Sequence, residues 1–242
     1  MSNVFYTPGE QRAVKVNDLF AAIARRYDLL NDLQSFGLHR RWKRRAVELA
    51  AVKPGDRALD LCCGTGDLAL ALARRGAEVA GLDFSGAMLE IAELRRRKNL
   101  KSRIANLKFI QGDAQQIPFP DHSFDAVMVG YGLRNLTNWE AGLAEMYRVA
   151  KPGGRLIVLD FGRPPNAVWH AAYFTHLKIS VPLLGWIFCG NAQAYAYILE
   201  SLKHYPAQAG VMAKMHELKL ANVRVINLLG GAMAINYGEK PF

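Results

Sequence analysis

The residues Leu59-Asp60-Leu61-Cys62-Cys63-Gly64-Thr65-Gly66-Asp67 lead from an apolar run, through a glycine turn, into a helical pattern. Glycines at such a turn permit φ > 0 and let a ligand approach the backbone with no Cβ in the way. Gly64, Gly66 and Ala69 satisfy the dinucleotide fingerprint G-x-G-x-x-G/A, so a nicotinamide enzyme competes with other nucleoside binders. Carboxylates separate the readings, because a pyrophosphate repels them. Asp60 and Asp67 flank the turn, Asp83 closes the next apolar run, and Asp113 closes the one after. That series suits S-adenosylmethionine. Its ammonium and sulfonium groups favour the acids at the turn, its ribose hydroxyls suit Asp83, and its adenine amine suits Asp113. Helix capping by Asp67 accounts for one acid but not for the series.

The elements that must position these residues follow from periodicity. Ala58 to Cys62, Glu78 to Leu82, Leu107 to Gln111, Ala126 to Val129 and Arg155 to Leu159 read as five buried strands. Helical patterns over Asp67 to Arg75, Ser85 to Lys98 and Trp139 to Val149 separate them, and Val223 to Leu229 with Ala232 to Tyr237 forms a last apolar pair. Strands apolar on both faces, alternating with helices, predict an α/β fold: a Rossmann-like, seven-stranded, mostly parallel sheet with helices on both faces. One domain of 242 residues is expected. Residues 1–50 are an N-terminal helical lid segment, 51–160 the cofactor-binding core, 161–222 a substrate-lid insertion after strand five, and 223–242 the closing strands. Ligands of open α/β sheets sit at the carboxyl ends of the strands, where such lids would lie.

Composition narrows the function classes. The chain is 51% apolar and 21% charged, a globular balance. Its three cysteines include the adjacent pair Cys62-Cys63 and indicate neither a disulfide framework nor a metal site. The polar Met1 to Gln11 has no apolar core, so no signal peptide and a cytoplasmic setting are expected. Ile179 to Leu199 is uncharged but broken by Pro182, Gly185 and Gly190, a poor membrane span. The net charge of +10 is uneven. Arg40, Arg41, Lys43, Arg44 and Arg45 surround Trp42, and Arg95, Arg96, Arg97, Lys98, Lys101 and Arg103 form a second cluster, expected to be a solvated face and turn.

With these residues placed, the chain resembles the class I S-adenosylmethionine-dependent methyltransferases and, more narrowly, the ubiquinone/menaquinone C-methyltransferase family of the UbiE/MenG type. The specific matches are Tyr27-Asp28-Leu29-Leu30-Asn31, Ser35-Phe36-Gly37-Leu38-His39-Arg40 with Trp42, and Tyr131-Gly132-Leu133-Arg134-Asn135. Pro118-Phe119-Pro120-Asp121, Lys151-Pro152-Gly153-Gly154 and Tyr195-x-Tyr197 with Ser201 and Pro206 extend the likeness over nearly the whole chain. The resemblance implies cofactor contacts at Thr65, Asp83, Asp113, Ala114 and Gly130, besides Asp60, Gly64 and Gly66 of the turn. Gly130 stands where some relatives carry a hydroxyl, and Asn236 where many carry a histidine. These departures bear on a ubiquinone-pathway assignment more than on methyl transfer itself.

The implied reaction is methylation of a ring carbon of a prenylated quinol, most simply demethylmenaquinol. A ring carbon is nucleophilic when an ortho hydroxyl donates density, ideally as the phenolate. Arg134 and Asn135, after the fourth strand, are expected to stabilise that charge, with Tyr27 orienting the ring beside Asp28. Tyr195 and Tyr197, two apart in a helix, would not share a face. His170 and His176 are read as surface or packing residues. Alternatives are a ubiquinone or phylloquinone precursor, another lipid or aromatic molecule, and a nucleic acid. The last lacks an N/D-P-P-Y/F motif and an appended RNA-binding module, so no nucleic-acid partner is expected. A membrane-borne substrate gives Arg40 to Arg45 anionic headgroups as a partner and a peripheral place at the membrane. An oligomer is compatible with the sequence.

Overall fold

Successive side chains point to opposite faces of a strand, so strands apolar at every position need a cover on both sides. The computed structural model, which describes residues 11–98, 106–189 and 199–242, supplies both. β1 (Arg57–Leu61), β2 (Glu78–Asp83), β3 (Leu107–Gln111), β4 (Phe124–Gly130) and β5 (Ala150–Phe161) run parallel. β6 (Ala221–Leu228) and β7 (Met233–Glu239) complete the order β3-β2-β1-β4-β5-β7-β6, with β7 antiparallel to both neighbours. The order reverses between β1 and β4, which opens the crevice where ligands of this architecture bind.

Ala58, Val79, Ala126 and Ile157 meet α3 (Leu38–Ala50) and α4 (Asp67–Ala73) in one core. Their strand neighbours Leu59, Leu82, Val127 and Leu156 meet α6 (Trp139–Val149) and α8 (Ala207–Glu217) in the other. α5 (Gly86–Lys98) packs on β3. A third, smaller core joins Ile23 of α1 (Gln11–Ile23) and Leu30 of α2 (Tyr27–Ser35) to Tyr173, Leu177 and Val181 of α7 (Ala167–Cys189). The N-terminal segment and the insertion thus pack on each other.

Several boundaries differ from the sequence reading. α4 stops at Ala73, and Arg74 and Arg75 turn into Gly76, whose φ is +92°. Ser85 precedes α5, because its backbone N–H donates to Asp83 Oδ1 at 2.9 Å. β5 begins at Ala150 because Ala150 pairs with Phe124 before the register shifts. The insertion, expected to be broken by proline and glycine, holds one 23-residue helix that passes through Pro182. Among the described residues no helix is long and apolar enough to cross a membrane. Tyr195, Tyr197, Lys101 and Arg103 lie outside the described residues.

Candidate active site

Strand alternation fixes what each acid faces. Asp60 shares a face with Ala58, so its carboxylate lies beneath the start of α4, where Oδ2 accepts from Ala69 N at 2.8 Å. It is only 1% exposed, and Oδ1 has no hydrogen-bond partner among the described residues. Burial pushes its carboxyl up to about 8. Asp83, at the end of β2, accepts Gly64 N at 2.7 Å and Ser85 N at 2.9 Å, one on each oxygen. Asp113 Oδ1 accepts Gln115 N at 2.8 Å. Gly64 adopts φ +55°, and a Cβ there would meet nothing within 4 Å, so its backbone lies open. Gly66 differs: its φ is +82°, and a Cβ would come within 2.8 Å of the Phe109 ring, so it serves close packing of the turn.

β1 and β4 are each followed by a left-handed residue that is not glycine, Cys62 (φ +52°) and Tyr131 (φ +62°). Such backbone costs energy and gathers at functional sites. The two strand ends also approach closely: a Cβ on Gly132 would lie 2.3 Å from Cys62 Cβ. Burial pushes the thiols of Cys62 and Cys63 well above their ordinary range.

Two cavities open at this edge. The smaller is lined by Gly64, Asp83, Asp113, Ala114, Gly130 and Asn135, so it collects most of the residues expected to hold the cofactor. The larger, about 440 Å³, is walled by apolar and aromatic side chains from α1, α2, α3, α7 and the end of β5, including Ile23, Trp42, Phe161 and Tyr173. Phe20, Tyr27 and Tyr131 line both cavities and form the wall between them. Burial raises the phenol pKa of Tyr27 and Tyr131, so both remain hydrogen-bond donors at neutral pH.

Arg134 and Asn135, although adjacent, serve different cavities. Arg134 lines the larger one and pairs with Asp160 at 2.9 Å; it also donates to Tyr131 O and lies over the Phe161 ring. Burial pushes the Asp160 carboxyl up against the pull of Arg134. Asn135 Nδ2 donates to Tyr131 O at 3.2 Å, in the smaller cavity. A water held by both Arg134 and Asn135 would have to bridge two compartments. Sequence reasoning did not name Asp160 as the partner of Arg134, since nothing local marks a contact across 26 residues.

Two expected contacts are redirected. The Thr65 hydroxyl donates to Asp28 Oδ1 at 2.8 Å, and Arg95 binds Asp28 Oδ2 at 3.0 Å. Asp28 therefore ties α2 to the glycine turn and does not line the larger cavity. Asp67 accepts from Lys43 at 2.6 Å and from Arg95, and against the cost of burial these cations hold its carboxyl down to about 2. Arg95 thus leaves the solvated cluster expected of it, whereas Arg96 and Arg97 pair with Glu93. His170 stacks on Phe174 at 4.4 Å, and His176 is exposed beside the larger cavity. Asn236 is buried on β7, donating to Gln208 O at 2.8 Å, and lines neither cavity.

Residues 8–240 match the ubiE/COQ5 methyltransferase family. The chain belongs to that family. This methyltransferase is 40% identical over 237 residues to the ubiquinone/menaquinone biosynthesis C-methyltransferase UbiE of Pseudomonas fluorescens, covering 97% of this chain and 92% of that one. It is 45% identical over 225 residues to the demethylmenaquinone methyltransferase of Thermus thermophilus, covering 92% of this chain and all of that one. Solved structures share the fold. The [4+2]-cyclase SpnF covers 100% of this chain and 99% of its own, with a TM-score of 0.64 at 18% identity. A Thermotoga maritima S-adenosylmethionine-dependent methyltransferase covers 92% and 99%, with a TM-score of 0.62 at 20% identity. The methyltransferase uses S-adenosylmethionine as its cofactor.

Proposed function

We propose that this methyltransferase carries the methyl group of S-adenosylmethionine to a ring carbon of a prenylated quinol, most simply demethylmenaquinol. The observation that carries the reading is the meeting of two unlike cavities at Tyr27 and Tyr131, one edged by Asp83 and Asp113, the other mostly apolar and aromatic. The cofactor fits the smaller side. Asp83 keeps free lone pairs for ribose hydroxyls, and Asp113 and Ala114 suit adenine. The open backbone of Gly64 suits the methionine end, and Gly130 lines the same cavity. Thr65 contributes to this binding indirectly, through its bond to Asp28.

When bound, the cofactor supplies an electrophilic methyl on a sulfonium. The protein does the rest. Apolar walls exclude water and accept the ring and tail, Tyr27 donates toward the ring at the junction, and Arg134 biases the larger cavity toward the phenolate. The Thermus relative's name favours the menaquinone branch over a ubiquinone precursor.

The protein acts in the cytoplasm, in contact with the membrane surface. Leu29, Leu33 and Phe36 of the α2 end and Val168, Ile179 and Leu183 of α7 are exposed apolar side chains, Phe36 at 82%. Arg40, Arg41 and Arg44 follow Phe36 on α3, where anionic headgroups would meet them. A single domain with residues 1–50 and 161–222 as its lid accounts for this surface. Transfer of tritiated methyl from S-adenosylmethionine to a membrane lipid extract, with and without a quinone reductant, tests the function. Label in reduced lipid is expected; label in RNA would overturn it. Flotation with liposomes that ignores anionic lipid and salt would remove the membrane contact.

A further inference from the structure

The proposed reaction, on which this inference rests, needs a group to remove the proton of the ring hydroxyl ortho to the accepting carbon. Arg134 is a paired cation and Asn135 is not basic. The larger cavity has a better-suited group in its wall. His39 lines it, is 4% exposed, and is placed by the α2–α3 corner. Phe36 (φ +50°) and Gly37 (φ +74°) are both left-handed and reverse the chain. Ser35 Oγ accepts the His39 backbone N–H at 3.3 Å while donating to Asn31 O at 2.6 Å. The reversal brings His39 Nε2 to 2.8 Å from Asp32 Oδ1. Arg40 and His39 hold the Asp32 carboxyl below the usual range, so it is an ionised acceptor. The proton of a neutral His39 therefore sits on Nε2. Nδ1 keeps its lone pair and is buried with no hydrogen-bond partner among the described residues. A buried acceptor left unsatisfied beside a ligand cavity calls for an explanation.

We propose that His39 is the general base of this methyltransferase: Nδ1 takes the ortho hydroxyl proton, and Asp32 is the positioning residue that fixes the imidazole tautomer. The O–H bond breaks and an Nδ1–H bond forms, leaving a phenolate. The ring carbon then bonds to the methyl as its bond to sulfur breaks, and the sulfonium charge is discharged. The hydrogen on the methylated carbon leaves as a proton to water, aromaticity returns, and the imidazolium gives its proton back to the ring oxygen. One proton is released overall. The nearby Gln34 Nε2, buried and also unpartnered among the described residues, is a donor for the ring's other oxygen.

Burial lowers the His39 pKa against the pull of Asp32, which keeps the imidazole neutral and its lone pair available at physiological pH. The nearest charges are Asp32 of α2, Arg40 and Lys43 of its own helix, and Asp67 of α4, and the groove on that side also holds Asp28, Arg44, Arg75 and Arg95. His176 and Arg134 face the same cavity.

The test is the pH dependence of methyl transfer to reduced lipid extract by the full chain, its His39→Gln variant and its Asp32→Asn variant, with cofactor affinity measured by calorimetry. Wild-type activity is the control for the function itself: no label in lipid from the wild type sinks the quinol reading, not the assignment of the base. His39→Gln should lose on the order of 10²- to 10⁴-fold in kcat at neutral pH with cofactor affinity unchanged. Its rate should climb steadily with pH as the quinol ionises unaided. Asp32→Asn, at a partly exposed position, should lower kcat and move the acidic limb while KM stays near wild type. Wild-type kcat in folded His39→Gln would overturn the proposal. So would an unmoved acidic limb at full kcat in Asp32→Asn, which decides the matter if the His39 variant does not fold.

Discussion

The Thr65 hydroxyl donates to Asp28 Oδ1 at 2.8 Å, and Arg95 holds the other oxygen of the same carboxylate. A side chain of the N-terminal segment is thereby fastened to the glycine turn. Asp28→Ala should loosen α1 and α2 without unfolding the sheet. With Asp28 partly exposed, a loss of about 1 kcal/mol is expected. Limited proteolysis should then cut the N-terminal segment faster, and bound S-adenosylmethionine should slow the cutting. Unchanged cleavage would show that the bond fastens nothing.

Asp83 is the acceptor of the smaller cavity that both of its neighbouring amides hold in place. Asp83→Ala should weaken cofactor binding by about 1.5–3 kcal/mol, since hydrogen bonds to a charged acceptor are lost. Calorimetry with S-adenosylmethionine measures this, and undiminished affinity would take Asp83 out of the site.

Arg134 and Asp160 are 7% and 3% exposed, a buried ion pair. Removing one partner strands the other charge, so Arg134→Ala should cost about 3–5 kcal/mol of stability by urea unfolding. The double variant Arg134→Met with Asp160→Leu should recover much of that stability and none of the turnover. If it turns over like wild type, the phenolate role is wrong.

Stability should respond to pH in two opposite senses. Asp60 is pushed up to about 8 by burial, so between its ordinary value of 3.8 and about 8 the folded chain holds a proton the unfolded chain has lost. Its contribution therefore falls as pH rises through that window, by up to about 1.4 kcal/mol per pH unit. Asp67, held down to about 2 against burial by Lys43 and Arg95, stabilises fully above its ordinary 3.8 and loses that contribution as pH falls towards 2. Denaturation of Asp60→Asn at pH 5, 6.5 and 8 should lack the first slope and keep the second at lower pH. Parallel curves for wild type and variant would show that Asp60 stays ionised.

At Gly130 a Cβ would come within 2.6 Å of Leu68 Cδ1, so the position where some relatives carry a hydroxyl is closed here by a leucine. Gly130→Ser should cost about 1 kcal/mol by overpacking. Adding Leu68→Val should relieve it, seen as coupling in a double-mutant cycle on thermal unfolding. Additive effects would mean that the backbone, not Leu68, sets the constraint.

The sheet was legible in the sequence because its strands are apolar on both faces and end at acids and glycines. Asp83, Asp113 and Gly130 could be assigned to one edge from order along the chain alone. What escaped was every relation made by tertiary geometry. Asp60 faces a helix because of strand alternation, and Thr65 is claimed by Asp28 across 37 residues. Arg134 and Asn135 diverge because a short helical turn over Leu133–Asn135 follows β4 and sends consecutive side chains to different cavities. His39 stood in a quoted motif, yet only the left-handed corner at Phe36 and Gly37 brings it to Asp32. Asn236 drew notice as a departure, but the structure gives it a packing role on β7.

The thiols of Cys62 and Cys63 gain a meaning from the proposed substrate. Once oxidised, such a quinol becomes a quinone, an electrophile that thiolates attack by conjugate addition. Cys62 lines the smaller cavity beside Tyr131, close to where such a ring would sit. Because burial keeps both thiols protonated, the reactive form is scarce. Next to a site proposed to take a quinol, burial thus holds the two adjacent cysteines of the glycine turn in the protonated form, the less reactive one toward an oxidised ring.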